Sequence, residues 1–134
     1  MSYLFSGCES LKEIDIRKFD TNLVRVMSHM FDSCIPLTSL SLNFISFDRS
    51  VVTDYSYMFN GCNNLISLNI SNFNTKNAKD MPYMFSNSKQ MKNLDLTSYN
   101  TLNFNKFNEM FVNTTNLTVL VTSEYYNNMI KANE

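Results

Sequence analysis

A Met-Phe pair returns along this chain at almost constant intervals, and this period constrains the fold more than any other feature. Leu4-Phe5 stands in the same place near the start, and successive pairs are 26, 28, 26 and 26 residues apart. The four pairs are Met30-Phe31, Met58-Phe59, Met84-Phe85 and Met110-Phe111. A fixed period of roughly 20 to 50 residues is typical of repeat proteins, in which each unit buries its apolar face against its neighbours. We therefore predict one repeat domain over 1–134, with five copies near 1–26, 27–54, 55–80, 81–106 and 107–134.

A second apolar pattern, Leu-x-x-Leu-x-Ile, follows each pair. Alternation such as Leu40-Ser41-Leu42 predicts a strand of about four residues with one buried face. The residues predicted to point inward are Leu11, Ile14, Ile16, Leu37, Leu40, Leu42, Leu65, Leu68, Ile70, Met91, Leu94, Leu96, Leu117 and Leu120. If the copies lie side by side, these strands form a parallel sheet with one strand per copy.

The Met-Phe segment itself predicts a short helix in each copy. Met27, Met30 and Phe31 are spaced i, i+3, i+4, which places them on one face of about two helical turns. Asp54 and Asp80 stand where an N-cap carboxylate would lie. The column that follows favours a left-handed helix cap, because it holds both glycines of the chain and two asparagines. Its members are Gly7, Ser33, Gly61, Asn87 and Asn113. The predicted class is therefore α/β, a leucine-rich-repeat-like solenoid with a short helix and a short strand per repeat.

Composition excludes several function classes. The chain is 44% hydrophobic and 17% charged, which argues against a disordered segment. No apolar run approaches the roughly 20 residues of a spanning helix, so we expect no membrane insertion by this segment. The net charge is -1 with scattered Lys and Arg, which argues against a nucleic-acid partner. The start, Met1-Ser2-Tyr3-Leu4-Phe5, has no basic region before an apolar core, so no signal peptide is visible.

Three cysteines share one column of the repeat. Cys8, Cys34 and Cys62 are continued there by Ser88 and Thr114. Free cysteine packs as a small hydrophobe, so we expect a small buried residue. A disulfide between copies, or a ligand or nucleophile role, are the alternatives. No His accompanies the column, so we expect no metal site and no cofactor.

Two further features have both a structural and a functional interpretation. His29 is the only histidine, and we expect a half-exposed helix residue, because no Ser or Cys nucleophile motif accompanies it. An aromatic column after each strand would be an internal spine, or else a platform for stacking sugars. Its members are Phe19, Phe47, Phe73, Tyr99 and Tyr125.

Polar residues occupy the strand positions that point away from the predicted core. Repeat proteins often bind partners on an extended face of this kind, although it could also be merely solvated. The candidate binding residues are Asp15, Arg17, Ser41, Asn43, Ser67, Asn69, Ser71, Asn93, Asp95 and Thr97. Glu13, Ser39, Val119 and Val121 are predicted to point the same way.

The combined pattern resembles a known family. It reads Met-x-x-Met-Phe-x-Gly-Cys-x-x-Leu-x-x-Leu-x-Ile-x-x-Phe-x-Thr, and the third copy carries it on Met58, Phe59, Gly61, Cys62, Leu65, Leu68, Ile70, Phe73 and Thr75. This pattern is similar to that of the BspA-like leucine-rich-repeat surface proteins, in particular the mycoplasma lipoprotein branch. The resemblance covers essentially the whole chain. It implies surface display, adhesion or binding of a host or partner protein or glycan, and no catalytic residues.

Two functions remain open on the sequence alone. The first is a non-enzymatic binding module that uses the sheet face. The second is a purely structural repeat spacer that presents another domain. No acid/base pair, metal cluster or phosphate loop stands above the repeat background, so we do not expect an enzyme.

Overall fold

The computed structural model describes residues 1–42, 51–73, 75–99, 110–115 and 117–123. Its strands in this part of the chain are β1 (Ser39–Ser41), β2 (Ser67–Asn69), β3 (Asn93–Asp95) and β4 (Thr118–Leu120). They form a four-stranded parallel sheet in the order β1-β2-β3-β4. Each strand therefore pairs with the strand of the next copy, which confirms the predicted parallel sheet. In the first copy, residues 13–16 lie beside the sheet without being a strand.

The register of the sheet explains the alternation in the sequence. Leu40 lies opposite Leu68, with Ser39 opposite Ser67 and Ser41 opposite Asn69. Side chains alternate between the two faces of a strand, so the two leucines share the inner face. Leu40, Leu68 and Leu94 are all buried, as predicted, while Ser39, Ser67 and Asn93 are exposed.

The last strand departs from the predicted register by one residue. Val119 lies opposite Leu94, and Leu120 lies opposite Asp95. Consequently Leu120 is 58% exposed on the outer face, whereas Val119 and Val121 pack against the core. The predicted inward Leu120 and outward Val119 and Val121 are therefore wrong, because a one-residue slip turns each side chain to the other face.

The predicted helices are also wrong. Residues 28–33 form turns, in which the Met30 N–H donates to the Met27 carbonyl (3.3 Å) and the Cys34 N–H to the Phe31 carbonyl (3.2 Å). The φ angles of His29 and Ser33 are +57° and +59°. A positive φ at the third residue is the geometry of a type II turn, and a right-handed helix cannot contain it.

The acceptors of the remaining backbone N–H groups explain why turns form instead of a helix. The Phe31 N–H donates to the Met58 carbonyl (2.9 Å), and the Phe59 N–H donates to the Met84 carbonyl (2.9 Å). Alternate amides are thus bonded to the next copy. Linked turns place apolar residues three and four apart on the same side, so they produce the spacing that also predicts a helix.

The residues predicted to adopt a left-handed backbone conformation do so, but they lie in turns and do not cap helices. All five of its members have a positive φ, from +57° to +69° (Gly7, Ser33, Gly61, Asn87 and Asn113). Asp54 likewise serves a turn, since its Oδ1 accepts the Ser56 N–H (2.8 Å) and the Ser56 hydroxyl (2.6 Å).

The core contains a ladder of phenylalanines from the Met-Phe pairs. Neighbouring rings are nearly parallel, with centroids 5.3 to 5.8 Å apart. The ladder comprises Phe5, Phe31, Phe59, Phe85 and Phe111. A second aromatic column lies beneath the strand ends, where Phe73 and Tyr99 are buried and Phe19 is half-buried. This burial favours an internal spine over a sugar platform; Phe47 and Tyr125 lie outside the described residues.

Candidate functional site

The outer face of the sheet carries a continuous row of small polar side chains. Ser39 lies opposite Ser67, Ser67 opposite Asn93, and Asn93 opposite Thr118. The four residues are exposed. Since parallel strands lie about 4.8 Å apart, the row presents hydroxyl and amide groups at regular intervals across all four strands.

A shallow groove of about 510 Å³ opens on this face between the first copy and β3. Its lining comes from four copies, because residues 13–17 form one side, β1 and β2 form the floor, and Asn93 lies at the far side. Six of the predicted binding residues line it together: Asp15, Arg17, Ser41, Ser67, Asn69 and Asn93.

A second groove of about 450 Å³ continues along the face toward β4. Asn69 and Asn93 line both grooves, and Ser71 and Asp95 line only this one among the predicted residues. Leu120 also lines it, and the sequence analysis missed this residue because of the one-residue slip. Thr97 lies just beyond the end of β3, and Asn43 lies outside the described residues.

Several predicted binding residues are engaged in turns at the strand ends. The Asn69 Oδ1 accepts the Ser71 N–H (3.1 Å) and the Ser71 hydroxyl (2.9 Å). The Asp95 Oδ1 does the same for Thr97, at 2.9 Å and 2.6 Å. Such Asx turns offer the backbone an alternative to the sheet ladder. These side chains therefore help to end β2 and β3, a role that the sequence analysis did not assign to them.

In the described part of the chain, one ion pair lies on the outer face of the sheet, and both of its residues belong to the first copy. Arg17 Nη2 lies 2.7 Å from Asp15 Oδ2, and Arg17 Nε donates to Asp15 Oδ1 at 2.9 Å. These hydrogen bonds lower the pKa of the Asp15 carboxyl to about 2. The Thr97 hydroxyl lowers the pKa of the Asp95 carboxyl in the same direction. Because both pKa values are lowered, a carboxylate persists on this face well below neutral pH.

A ladder of surface rings on the turn side is a feature that the sequence analysis missed. Tyr3, His29, Tyr57 and Tyr83 stack with centroids 4.4, 4.6 and 4.7 Å apart. Each of the four has a positive φ, which is uncommon for such bulky residues. The column was visible in the repeat, but its backbone conformation was not. Neighbouring rings cover both faces of His29 and Tyr57, so this inner part of the ladder offers ring edges and no flat platform for a sugar.

Amide side chains form a third ladder beside these rings. Asn60 Nδ2 donates to Asp32 Oδ1 (2.9 Å), Asn87 Nδ2 donates to Asn60 Oδ1 (2.9 Å), and Asn113 Nδ2 donates to Asn87 Oδ1 (3.0 Å). These hydrogen bonds connect the polar side chains of neighbouring copies, as Asn ladders do in stacked strands. They add to the cohesion between copies.

His29 has a carboxylate partner but no nucleophile in line. Its Nδ1 lies 2.7 Å from Asp32 Oδ2, while the Ser33 hydroxyl donates to Asp32 Oδ1 at 3.1 Å. A catalytic triad needs the imidazole between the hydroxyl and the acid, whereas here the carboxylate lies between them. The arrangement orders a turn and does not activate Ser33.

The cysteine column has a structural role that includes hydrogen bonding. Cys34 and Cys62 are buried, and Cys8 is half-buried. The Cys34 thiol donates to the Phe5 carbonyl (2.9 Å) and the Cys62 thiol to the Phe31 carbonyl (3.1 Å). Ser88 and Thr114 hydroxyls make the equivalent bonds at 2.9 Å and 2.6 Å, which explains why Ser and Thr replace Cys in the column. Burial raises the pKa of Cys34 to about 11 and that of Cys62 to about 12, so neither is a reactive thiolate.

Among the described residues, no group of three His, Cys, Asp or Glu side chains could hold a metal ion. Within the same residues, no helix is long and apolar enough to cross a bilayer.

Comparison with known proteins gives one match. The family described as "Mycoplasma protein of unknown function, DUF285" matches residues 1–125. No curated protein and no solved structure is significantly similar to the chain.

Proposed function

We propose that this chain, which belongs to the DUF285 family of mycoplasma proteins, is a non-enzymatic binding module that recognises a partner through the outer face of its parallel sheet. The observation that supports this most is the groove of about 510 Å³, to which four copies contribute polar side chains. A site assembled from several copies fits an extended partner better than a small molecule, because it is shallow and open along the sheet.

The finer architecture belongs to the same proposal. We infer a leucine-rich-repeat-like solenoid of the BspA-like type, in which the copies continue in one direction. Strands in chain order and amides that donate from one copy to the next support this inference. By the resemblance, the module works at the cell surface in adhesion, as part of a surface lipoprotein, and meets a host or partner macromolecule there.

A partner protein fits the groove better than a glycan does. Sugar-binding sites commonly stack a ring face against the sugar, and no aromatic residue of the described part of the chain lines the groove. Hydroxyl, amide and carboxylate groups such as Ser67, Asn69 and Asp15 do line it. These groups pair well with the backbone and polar side chains of a polypeptide.

The proposal includes the absence of catalysis. The carboxylate–imidazole pair of Asp32 and His29 is not aligned with the Ser33 hydroxyl. The two most buried thiols donate to carbonyls and have raised pKa values. Neither arrangement provides an activated nucleophile.

A structural spacer is the second candidate, and one observation favours it. Asn69 and Asp95 are occupied by the turns that end their strands. If all polar residues of the face served such turns, the face would need no partner. Ser39, Ser67 and Asn93 lie at positions with no such turn, and the binding proposal therefore depends most on them.

The experiment applies the fluorescently labelled chain to cultured animal cells. The test variant, Ser67→Arg with Asn93→Arg, places two large cations in the groove. The control variant, Asn64→Arg with Gln90→Arg, adds the same charge at exposed positions that do not line either groove. We expect wild type and control to bind cells alike and the test variant to bind at least about tenfold less, roughly the loss of one well-packed contact.

Two enzymatic treatments of the cells separate the partner classes. Protease treatment should abolish binding, and glycosidase treatment should leave it intact, if the partner is a protein. The reverse pattern identifies a glycan. Equal binding by test and control variants contradicts the sheet-face proposal, and no binding by any form supports the spacer.

A further inference from the structure

Two rows of side chains cross the outer face of the sheet, with one side chain from each copy. The columns of the repeat align them from the first copy to the fourth. One row comprises Glu13, Ser39, Ser67 and Asn93, and the other comprises Asp15, Ser41, Asn69 and Asp95. The second and third copies contribute only neutral hydroxyl and amide groups, so the carboxylates lie on either side of them.

The two grooves on this face have an excess of negative charge. Among the described residues, their lining contains three carboxylates, from Glu13, Asp15 and Asp95, and one guanidinium. The guanidinium of Arg17 donates two hydrogen bonds to Asp15, at 2.9 and 2.7 Å. The single cation of the lining is therefore already engaged by one of the carboxylates.

Glu13 and Asp95 have no cationic partner in the described part of the chain, where neither forms an ion pair. Lys12 and Lys92 are exposed and close to them in the sequence, but both lysines line neither groove. The Thr97 hydroxyl donates to Asp95 and lowers the pKa of that carboxyl, which is therefore ionised at neutral pH. The two carboxylates are open to cations from another molecule.

The distance between these carboxylates restricts the partner. Glu13 and Asp95 are three copies apart across the sheet and two positions apart along the strands. Parallel strands lie about 4.8 Å apart and rise about 3.3 Å per residue, so the two backbone positions are about 16 Å apart. An extended polypeptide spans about 3.3 to 3.6 Å per residue, so two of its residues about five apart cover this distance.

The groups between the carboxylates favour an extended partner segment over a helix. Ser39, Ser67 and Asn93 line the groove with hydroxyl and amide groups, which can both donate and accept hydrogen bonds. An extended segment has free backbone N–H and C=O groups to pair with them. A helix uses most of these groups within itself.

We propose that the partner of this face is an extended polypeptide segment with two lysine or arginine side chains about five residues apart, one paired with Glu13 and the other with Asp95. This inference rests on the sheet-face binding function proposed above and specifies its partner. The segment crosses the strands, and its backbone bonds to the hydroxyl and amide groups between the two carboxylates.

NMR titration of the whole chain with synthetic peptides tests this inference. The first peptide consists of glycine and serine with two lysines at the proposed spacing, the second has glutamine in place of both lysines, and the third has the lysines adjacent. We expect the first peptide to shift the amide signals of Ser67 and Asn93 and to bind at least about threefold more tightly than the second, as two exposed ion pairs allow. The third should bind more weakly than the first, because it reaches one carboxylate at a time. Added salt should reduce the preference for lysine.

Variants of the chain assign the preference to the two carboxylates. Glu13→Gln with Asp95→Asn removes both charges, and the asparagine keeps the turn acceptor, as Asn69 does in the same column. The control, Glu9→Gln with Asp20→Asn, removes two exposed carboxylates that line neither groove. The preference for the first peptide should disappear in the test variant and persist in the control, and the spectra show whether each variant is folded.

Four results would overturn the inference: equal binding of the lysine and glutamine peptides, equal binding of spaced and adjacent lysines, equal effects of the test and control variants, and unchanged signals of Ser67 and Asn93. If it fails while Ser67→Arg with Asn93→Arg still reduces cell binding, the sheet face binds a partner that is not a basic segment. If cell binding is also unchanged, the sheet-face function itself fails.

Discussion

Replacing Phe59 with alanine should cause one of the largest losses of stability available in this chain. The side chain is fully buried, and its ring lies between those of Phe31 and Phe85, at centroid distances of 5.7 and 5.8 Å. The planes differ by only 5° and 3°. The substitution therefore leaves a ring-sized cavity at the centre of the ladder and removes two stacking contacts together.

The size of the loss follows from these contacts. Truncating a buried phenylalanine to alanine typically lowers the free energy of unfolding by about 3–5 kcal/mol, including the effect of the cavity that remains. Each aromatic pair contributes about 0.5–1.5 kcal/mol beyond its buried area. We therefore expect Phe59→Ala to lie in the upper half of that range, near 4–5 kcal/mol. A domain of this size is typically stable by roughly 5–15 kcal/mol, so the variant would keep only part of its stability.

Urea unfolding, followed by circular dichroism, measures the loss. The control is Ile66→Ala, because Ile66 is an apolar residue that is half-exposed beside the sheet, and its truncation should cost less than about 1 kcal/mol. Phe59→Leu separates the two contributions, since it fills much of the space without a ring. Similar losses for Phe59→Ala and Ile66→Ala would contradict the burial of Phe59 in the core.

Further predictions concern the buried Cys62 thiol, the Asp15 carboxyl and the removal of one copy. Cys62→Ser should keep the hydrogen bond to the Phe31 carbonyl and unfold at nearly the wild-type urea concentration, whereas Cys62→Ala should lose about 0.5–1.5 kcal/mol of stability. Iodoacetamide at pH 8 should not alkylate native Cys62, because burial raises its pKa to about 12. The lowered pKa of Asp15 means that its contribution to stability is complete above its ordinary pKa of 3.8 and is lost as pH falls toward about 2; carboxyl NMR should show this midpoint move toward 3.8 in Arg17→Gln. Deletion of residues 55–80 should leave a shorter chain that still unfolds cooperatively, as calorimetry can show, because each copy contacts mainly its neighbours.

The parallel sheet and its buried face could be predicted because they depend on a local pattern. Leu40, Leu68 and Leu94 alternate with polar residues, and such alternation over a short segment indicates a strand with one buried face. The period then places equivalent strands side by side. The predicted faces were wrong on the last strand, for Leu120, Val119 and Val121, because one residue fewer in the last copy reversed them. A pattern with only two apolar positions could not show this shift.

The turns could not be predicted, because the hydrogen bonds that favour them over a helix join separate copies and are not local. The spacing of Met27, Met30 and Phe31 suits a helix and a pair of linked turns equally well. What decides between them is that the Phe31 N–H finds the Met58 carbonyl in the next copy. The positive φ of His29 gave no signal either, since histidine is not a residue that marks such a conformation as glycine does.

The outward direction of the candidate binding residues could be predicted, but their hydrogen bonds could not. Their outward direction followed from alternation, so Ser67 and Asn93 were placed on the correct face. Their hydrogen bonds were not predictable from periodicity, and Asn69 and Asp95 proved to serve the ends of their strands. A side chain that ends a strand and one that binds a partner have the same polarity in a sequence.

Backbone amides join each copy to the next, and scalar couplings across these hydrogen bonds can detect each donor and its acceptor in solution. In isotope-labelled protein, the long-range experiment should correlate the Phe59 amide nitrogen with the Met84 carbonyl carbon, because that N–H donates to that carbonyl at 2.9 Å. The equivalent correlation should link Phe31 with Met58. A correlation of the Phe59 nitrogen with the Tyr55 carbonyl, four residues earlier, would instead indicate a helix and rule out the bond to the next copy.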